Sequence, residues 1–206
     1  MAEQTPYYQF GSYKFSSKKE VYEKAYLQAI VDSYNSGRVD KTTGLENAIR
    51  DRIVWDLQNH NPITAQLYQF EVLDIIPERV NMITESEKSR ADICFHWSPI
   101  GKFDVECKRV FQQPSGNKVY LTDGLIRFVE LKYAKNNDYA GMIGFVVSGN
   151  ITTIMAQITK ETHVFHKSED AIKDSEINWD YSFSSIHKRI DESSIHIYHL
   201  FFDFNS

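Results

Sequence analysis

The stretch RADICFHWSPIGKFDVECKRV, residues 90–110, contains two segments in which apolar and polar side chains alternate. Alternation with a period of two is typical of a half-buried β-strand. Pro99 and Gly101 lie between the segments 90–97 and 103–110, and they favour a tight turn there. The pattern therefore predicts an antiparallel hairpin.

The parity of the two strands predicts which side chains share a face. Successive residues of a strand point to opposite sides of its sheet. If the apolar sides of both strands lie together, Asp92, Glu106 and Lys108 share the other side. The same parity places Cys94 and Cys107 on opposite faces, so we expect no disulfide between them.

Asp92, Glu106 and Lys108 are residue types that metal-dependent hydrolases use. Two carboxylates held close together repel each other unless a cation lies between them. Oxygen ligands of this kind suit Mg²⁺ or Mn²⁺. A lysine beside the ion can orient or deprotonate a water molecule and stabilise charge that develops on a phosphate. The three residues are therefore the predicted catalytic group for hydrolysis of a phosphodiester.

An ordinary polar strand face is the alternative interpretation of the same residues. Amphipathic strands with one polar side are common in globular proteins. The spacing D-x(13)-E-x-K is also loose enough to arise by chance in many chains.

A predicted helix over residues 43–59, capped by Thr43 and ending before Pro62, supplies another candidate ligand. At about 100° per residue, Glu46 falls within the apolar stripe of this helix, whereas Asp51 lies on its polar side. A buried glutamate needs a partner, which a metal ion or a basic group would provide. Alternatively, Glu46 in the first turn interacts only with the helix dipole. The stripe comprises Leu45, Ala48, Ile49, Ile53 and Leu57.

A further helix is predicted over residues 119–136. Lys132 falls within its apolar stripe, which makes this lysine a candidate for binding a substrate phosphate. Alternatively, its stem follows the apolar surface and its ammonium group reaches solvent. Arg127 projects away from the stripe and is predicted to be a solvated surface charge. The stripe comprises Leu121, Leu125, Phe128 and Val129.

The remaining segments complete an α/β pattern without repeats or low-complexity tracts. The order α-α-β-β-β-α-β-α-β predicts one domain over residues 1–206, with a mixed sheet flanked by helices. Residues 167–194 are polar and show no clear period. The other predicted elements are a helix over 17–36, a strand or kinked pair of strands over 71–84, a strand over 141–147, a helix over 151–166 and a strand over 195–204.

The bulk composition limits the compartment and the partners. The chain has 206 residues and a net charge of −5, whereas nucleic-acid-binding proteins usually carry a basic excess. Any nucleic-acid-binding surface must therefore be a local patch. The N-terminus lacks a basic region followed by an apolar run, and no segment approaches the roughly 20 apolar residues of a membrane helix. We therefore expect a cytoplasmic protein without membrane contact.

Histidine supplies another alternative, which is transition-metal or acid–base chemistry. His196 and His199 are three residues apart on a predicted strand, so they fall on opposite faces. His163 and His166 share a helical face, but no carboxylate or cysteine motif typical of zinc accompanies them. The other histidines considered are His96 and His187.

The order of the candidate residues resembles that of the PD-(D/E)XK nuclease superfamily. An acidic residue on a helix precedes an aspartate on one strand and a Glu-x-Lys sequence on the next strand. The restriction-endonuclease-like core of that superfamily has the order α-β-β-β-α-β, which residues 43–147 match. The first helix and the part after about residue 150 are then additions. One departure is Ala91, which stands where the family name has proline.

The resemblance implies a role for each residue. Asp92 and Glu106 would bind Mg²⁺ or Mn²⁺ with help from the Cys107 carbonyl. Lys108 would be the catalytic lysine, and Glu46 would be an auxiliary metal ligand on the helix. The implied activity is a metal-dependent endonuclease that acts on DNA in restriction, phage defence or repair. An RNA substrate, a homodimer, and a binding module that keeps the fold without chemistry stay open as alternatives.

Overall fold

A six-stranded mixed sheet forms the centre of the fold. The computed structural model describes residues 8–10, 12–82, 88–165 and 177–205. A separate two-stranded hairpin is formed by β1 (Tyr8–Phe10) and β2 (Tyr13–Phe15). The strands of the main sheet are β3 (Asp74–Met82), β4 (Lys88–Trp97), β5 (Gly101–Phe111), β6 (Tyr139–Ser148), β7 (Ser182–Lys188) and β8 (Ser194–Asp203).

Helices pack on both faces of this sheet. Two of them include a six-residue π-helical segment, in which each N–H bonds to the fifth carbonyl before it. None of the helices within the described residues is long and apolar enough to cross a bilayer. The helices are α1 (Lys18–Val21), π1 (Tyr22–Leu27), α2 (Gln28–Asn35), α3 (Glu46–Asn59), α4 (Ala65–Gln69), α5 (Pro114–Val119), π2 (Tyr120–Leu125), α6 (Ile126–Val129) and α7 (Ile151–Phe165).

The strand order is β3-β4-β5-β6-β8-β7, which confirms the predicted mixed α/β class. The strands β3, β4 and β5 are antiparallel neighbours, whereas β5, β6 and β8 run parallel. The parallel strands are apolar on both faces because helices cover both sides. Along β8, for example, Ile197 faces the layer that contains π2 and α7, while Tyr198 faces the layer that contains π1 and α3.

The predicted hairpin is confirmed, and its register joins Ile93 to Val105 and Phe95 to Phe103. Both cysteines are free and buried, and they lie on opposite faces as parity required. The polar side of β5 is covered by other parts of the protein rather than solvated. Glu106 is only 1% exposed. The residues on this side therefore need partners within the protein.

The helix predicted over 119–136 is wrong at its C-terminal end, because helical structure stops at Val129. Leu131 has a φ of 59°, which lies in the left-handed region. The Lys132 N–H donates to the Arg127 carbonyl at 2.9 Å, as in a Schellman termination. Glycine usually occupies the left-handed position of such a termination. The sequence has leucine there, so the usual stop signal is missing.

Other boundaries also differ from the predictions. The helix expected from Thr43 begins at Glu46, and Leu45 is 72% exposed rather than part of the buried stripe. Ala48 is exposed as well. The segment 71–84 contains one strand, since the edge position of β3 tolerates Pro77 inside it. The expected end of that segment at 83–84 lies outside the described residues.

The polar stretch 167–194, which shows no clear period, contains strand β7, and its residues 167–176 lie outside the described residues. This strand is the outer neighbour of β8 and contributes a buried polar network below π2. The Oγ of Ser185 lies 2.7 Å from Nε2 of His187 and 2.7 Å from Nε2 of His199. The Oη of Tyr120 lies 2.9 Å from the other ring nitrogen of His199. Complete burial, followed by the neighbouring His187 and His196, lowers the pKa of His199 well below 6.5.

This buried imidazole predicts a loss of stability in mild acid. The unfolded chain takes up a proton at His199 below pH 6.5, whereas the folded chain does not. The free energy of unfolding therefore falls as the pH decreases from about 6.5, by up to about 1.4 kcal/mol per pH unit from this residue. Urea unfolding between pH 7.5 and 5 measures the slope, and we expect His199→Gln to reduce it.

The substitution His60→Gln is the control, because the side chain of His60 is exposed. This variant should keep the wild-type dependence on pH. An unchanged slope in His199→Gln would show that the buried imidazole makes no contribution to acid sensitivity.

Candidate active site

The sheet splits between β4 and β5, and this split creates the candidate site. The two strands pair from Trp97–Gly101 to Ile93–Val105, and their register ends there. Beyond this point β4 continues beside β3, down to the pair Met82–Lys88, while β5 continues beside β6 as far as Phe111. The side of β5 that faces β4 therefore becomes an open edge from Glu106 onward.

Side chains replace the missing strand along this open edge. Backbone N–H groups that are buried without an acceptor destabilise a fold. Each N–H group along the unpaired edge of β5 therefore needs an oxygen atom as its acceptor. Three alternate N–H groups of β5 donate to side-chain oxygens from β4, α3 and α5. The bonds are Cys107 N–H to Asp92 Oδ2 at 2.7 Å, Arg109 N–H to Glu46 Oε2 at 2.9 Å and Phe111 N–H to Asn117 Oδ1 at 2.9 Å.

These bonds bring Asp92 and Glu46 to the edge of β5 on either side of Lys108, with Asp92 between Glu106 and Lys108. In an extended strand the N–H and the C=O of one residue point to the same side. The Cys107 carbonyl therefore faces the open edge together with the Cys107 N–H that Asp92 accepts. The expected grouping of Asp92, Glu106, Lys108 and Glu46 is present, whereas the roles assigned to these residues stay predictions.

Glu106 is the most buried acid of the group. Its Oε1 accepts a 2.6 Å hydrogen bond from the Lys108 ammonium group. Its Oε2 is buried, and no donor of the described residues reaches it. Burial, followed by the negative charge of Asp92, raises the pKa of Glu106 to about 8, while Lys108 and Arg127 act in the opposite direction. A carboxylate in this position would gain from a cation at its open oxygen.

Lys108 lies between two carboxylates, since its Nζ is also 3.6 Å from Oε1 of Glu46. Burial tends to lower the pKa of Lys108, but Glu106, Glu46 and Asp92 outweigh it, and the pKa is raised. Gly124 of π2 allows this arrangement by a close approach. A Cβ atom at position 124 would lie 2.7 Å from Cε of Met142 and 3.5 Å from Cγ of Lys108.

Arg127 belongs to the site, so its prediction as a solvated surface charge is wrong. Its guanidinium group lies 3.7 Å from Oε1 of Glu106 and bonds to Asp123 at 2.7 Å and to the hydroxyl of Tyr133. The sequence could not reveal this, because the π-helical segment Tyr120–Leu125 precedes Arg127. Positions beyond such a segment no longer follow steps of 100° per residue from positions before it.

Arg50 is a second basic residue of the site that the sequence pattern does not single out. It follows Glu46 by one helical turn on α3, so both side chains reach the split from the same helix. The Arg50 guanidinium is 3% exposed and lies 3.4 Å from Asp92 and 3.1 Å from Glu78. It also bonds to Asp51 at 2.7 Å. The available signal was the spacing of Glu46 and Arg50 by four residues.

Lys132 does not occupy the predicted helical stripe, because it follows the end of α6. Its ammonium group is 2.9 Å from Glu130, and its side chain is 43% exposed. It nevertheless lies at the rim of the same depression. The substrate-binding role of Lys132 stays a prediction that its position at the rim supports, whereas the helical geometry from which it was inferred is wrong.

These residues line a depression of about 730 Å³, which we call the fork cleft. Its base is the split of the sheet, where Asp92, Glu106 and Lys108 lie. α3 forms one wall, and π2 with α6 forms the opposite wall. The residues of the walls and rim include Glu46, Arg90, Thr122, Arg127, Lys132 and Tyr133.

The donor set of the fork cleft fits a hard divalent cation. No group of three His, Cys, Asp or Glu side chains suited to a metal occurs among the described residues, which include five of the six histidines considered. His166 lies outside them. Magnesium, however, binds through one or two carboxylates and keeps several waters. The buried free oxygen of Glu106, the Asp92 carboxylate and the Cys107 carbonyl meet that smaller requirement.

Comparison of the chain with family models, with curated proteins and with solved structures gives no match. The case for a function therefore depends on the geometry and the charges of the fork cleft.

The charge network predicts that Arg50 stabilises the fold far more than its neighbour Arg90. Both contact Glu78, but the side chain of Arg50 is 3% exposed and that of Arg90 is 58% exposed. Removal of one partner from a buried network leaves uncompensated charge, whereas exposed ion pairs contribute little. We expect Arg50→Met to lower the free energy of unfolding by about 3 kcal/mol and Arg90→Met by less than about 1 kcal/mol.

Urea denaturation of the two variants measures the difference. The double variant Arg50→Met/Asp92→Asn should recover part of the loss, because it removes the carboxylate that Arg50 leaves unpaired. Equal losses in the two single variants would contradict the assignment of Arg50 to a buried network.

Proposed function

We propose that this protein is a Mg²⁺- or Mn²⁺-dependent endonuclease that hydrolyses phosphodiester bonds in DNA. The observation that carries the proposal is the buried Oε2 of Glu106, which lies near Asp92 and accepts no hydrogen bond from the described residues. The Lys108 ammonium group is fixed 2.6 Å from the other oxygen of Glu106. Two acids and one lysine at a split in a sheet form a site that a divalent ion would complete.

The order of elements around the fork cleft supports the proposal. Apart from the short helix α4, which lies between α3 and β3, the elements α3, β3, β4, β5, the helical segment of π2 and α6, and β6 have the order α-β-β-β-α-β. This is the order of the PD-(D/E)XK core that residues 43–147 resemble. The parallel pairing of β5 with β6 adds a feature that the sequence did not reveal. The family assignment is part of the proposal.

Each residue would then act through a specific atom. Asp92, the carbonyl of Cys107 and the free oxygen of Glu106 would hold the ion, and Glu46 would approach it from α3. A bound divalent ion would activate water and neutralise charge on the phosphate. The raised pKa of Lys108 keeps its ammonium group protonated. We therefore assign Lys108 the role of orienting groups and stabilising negative charge, in preference to removing a proton.

Arg127 would contribute a second positive charge to the substrate. Asp123 and Tyr133 hold its guanidinium group at the rim of the fork cleft, where its side chain is 33% exposed. A guanidinium group binds two phosphate oxygens at once, so this position suits a phosphate group that enters above Glu106.

A binding module without chemistry is the second candidate, and Arg50 is the observation that favours it. The Arg50 guanidinium already lies 3.4 Å from Asp92, and Lys108 already pairs with Glu106. These cations reduce the repulsion between the acids without a metal ion. The two candidates differ in whether a divalent ion binds at the fork cleft.

The proposed function predicts different effects for the acids and for the lysine. With Mn²⁺ at ten times its dissociation constant, the wild-type protein should gain about 1.4 kcal/mol of stability. This gain corresponds to an increase in Tm of about 3 to 6 °C. The variants Asp92→Asn and Glu106→Gln should lose the increase in Tm. Lys108→Met should keep it, since the substitution removes only a cation, but should reduce nicking of supercoiled DNA by about 100-fold or more, because it removes a group that stabilises developing negative charge.

Asp56→Asn is the matched control, because Asp56 is a buried carboxylate of α3 that pairs with Arg38 away from the fork cleft. This variant should be less stable but should keep both the Mn²⁺ response and the nicking. Metal-dependent nicking that persists in both Lys108→Met and Asp92→Asn would falsify the proposed active site. The absence of any Mn²⁺ response in the wild-type protein would favour the binding module.

A further inference from the structure

A second depression, of about 670 Å³, adjoins the fork cleft. We call it the lysine groove, because four lysines line it. Glu130 and Lys132 line both depressions, so the lysine groove continues the fork cleft past the end of α6. The lysines are Lys18, Lys102, Lys132 and Lys135.

The local charge of the lysine groove is opposite in sign to that of the whole chain. The chain has a net charge of −5, whereas the groove has four lysines and two carboxylates, Asp104 and Glu130. Asp104 is 4% exposed, so it lies beneath the surface that a ligand would touch. Such a groove is the local basic patch that a nucleic-acid-binding protein with this composition requires.

Three of the lysines are available to a ligand. Lys18, Lys102 and Lys135 are exposed, and none of them forms an ion pair with a carboxylate of the described residues. Lys132 pairs with Glu130. An unpaired, exposed ammonium group keeps its charge for a phosphate and releases condensed counterions from DNA when it binds.

The loop that carries Lys132 and Lys135 is held in a fixed shape. Ala134 has a φ of 49°, and its N–H donates to Asp104 at 3.1 Å. Arg189 donates to the carbonyl of Ala134 at 3.0 Å. Residues in the left-handed region cost energy and persist where the surroundings impose them. The backbone that carries these lysines is therefore preorganised, which reduces the ordering cost of binding.

The opposite side of the lysine groove is joined to the same loop. Asn137 donates from its side-chain amide to the carbonyl of Lys102 at 2.7 Å, and Arg189 donates to the carbonyl of Asn137 at 2.6 Å. The start of β5 and the loop after α6 are thus fixed to each other. The two sets of lysines keep a constant separation across the groove.

Strand β5 connects the lysine groove to the fork cleft. Glu106, Asp104 and Lys102 occupy alternate positions on one side of this strand. At about 3.3 Å per residue, Lys102 lies about 13 Å along the strand from Glu106. This length equals the rise of about four base pairs along the axis of B-form DNA, at about 3.4 Å per base pair. A DNA strand that passes over Glu106 would therefore place successive phosphates beside the lysines.

We propose that the lysine groove binds the phosphate backbone of the DNA strand that enters the fork cleft, without regard to sequence. Backbone contacts of this kind position a substrate and carry no base information. The inference rests on the proposed function, because it names the substrate path to the same site. It adds a surface formed by α1, β5 and the loop after α6, outside the cluster of acids and Lys108.

Binding without cleavage tests this inference. Fluorescence anisotropy with a labelled 25-base-pair duplex in EDTA measures affinity while divalent ions are absent. We expect Lys102→Gln/Lys135→Gln to weaken binding by about tenfold at 100 mM salt. The slope of log K against log salt should become shallower by about 1.8, since each lost phosphate contact removes about 0.9.

The variant Lys14→Gln/Lys24→Gln is the matched control, because it removes the same charge from exposed lysines that line neither depression. It should keep the wild-type affinity and slope. Equal behaviour of the two double variants would overturn the inference. A polyglutamate peptide that binds the wild-type protein more tightly than the duplex would overturn it as well, in favour of an acidic protein partner.

The outcome for the lysine groove is separable from the outcome for the proposed function. Salt-dependent binding that needs Lys102 and Lys135, without nicking in Mn²⁺, would support the groove and reject the nuclease. Nicking by a protein whose DNA affinity does not depend on these lysines would support the nuclease and reject the groove. Absence of duplex binding by the wild-type protein would reject the groove.

Discussion

The separation of β4 from β5 is the constraint on which the rest of the site depends. Once pairing stops at Ile93–Val105, the N–H groups of β5 need other acceptors. Carboxylates and an amide supply them, and this brings Asp92 and Glu46 to the same edge as Glu106. A backbone requirement thus concentrates negative charge at one place. Asp92 and Glu46 accept hydrogen bonds that the backbone of β5 requires, and their position beside Glu106 follows from these bonds.

Concentrated negative charge needs compensation, and two helices and one strand provide it from different directions. Arg50 approaches from α3, Lys108 from β5 and Arg127 from α6. Each of these cations stays charged because the surrounding carboxylates favour its protonated form. The same charges stabilise the fold and would support the proposed chemistry. A substitution at one of these positions is therefore expected to change both stability and activity.

The sequence predicted those parts of the site that follow from strand parity. The hairpin, the shared face of Asp92, Glu106 and Lys108, and the separation of the cysteines all follow from a period of two. It could not predict where β4 leaves β5, since alternation looks the same in paired and unpaired strands. It also could not place Arg127, because a π-helical segment changes the helical phase. The early end of α6 had no glycine to mark it.

The position of β8 between β6 and β7 has a consequence for biosynthesis. β7 precedes β8 in the chain, yet β8 is its partner in the sheet. During translation, β7 leaves the ribosome before its partner β8 has been made. The backbone groups along one edge of β6 also stay unpaired until β8 is present. Nascent chains would pass through an interval in which the edge of β6 is unpaired, and the long-range pairing of β6 with β8 is slower than the local pairing of β7 with β8. Chaperone capture during translation would fall within that interval.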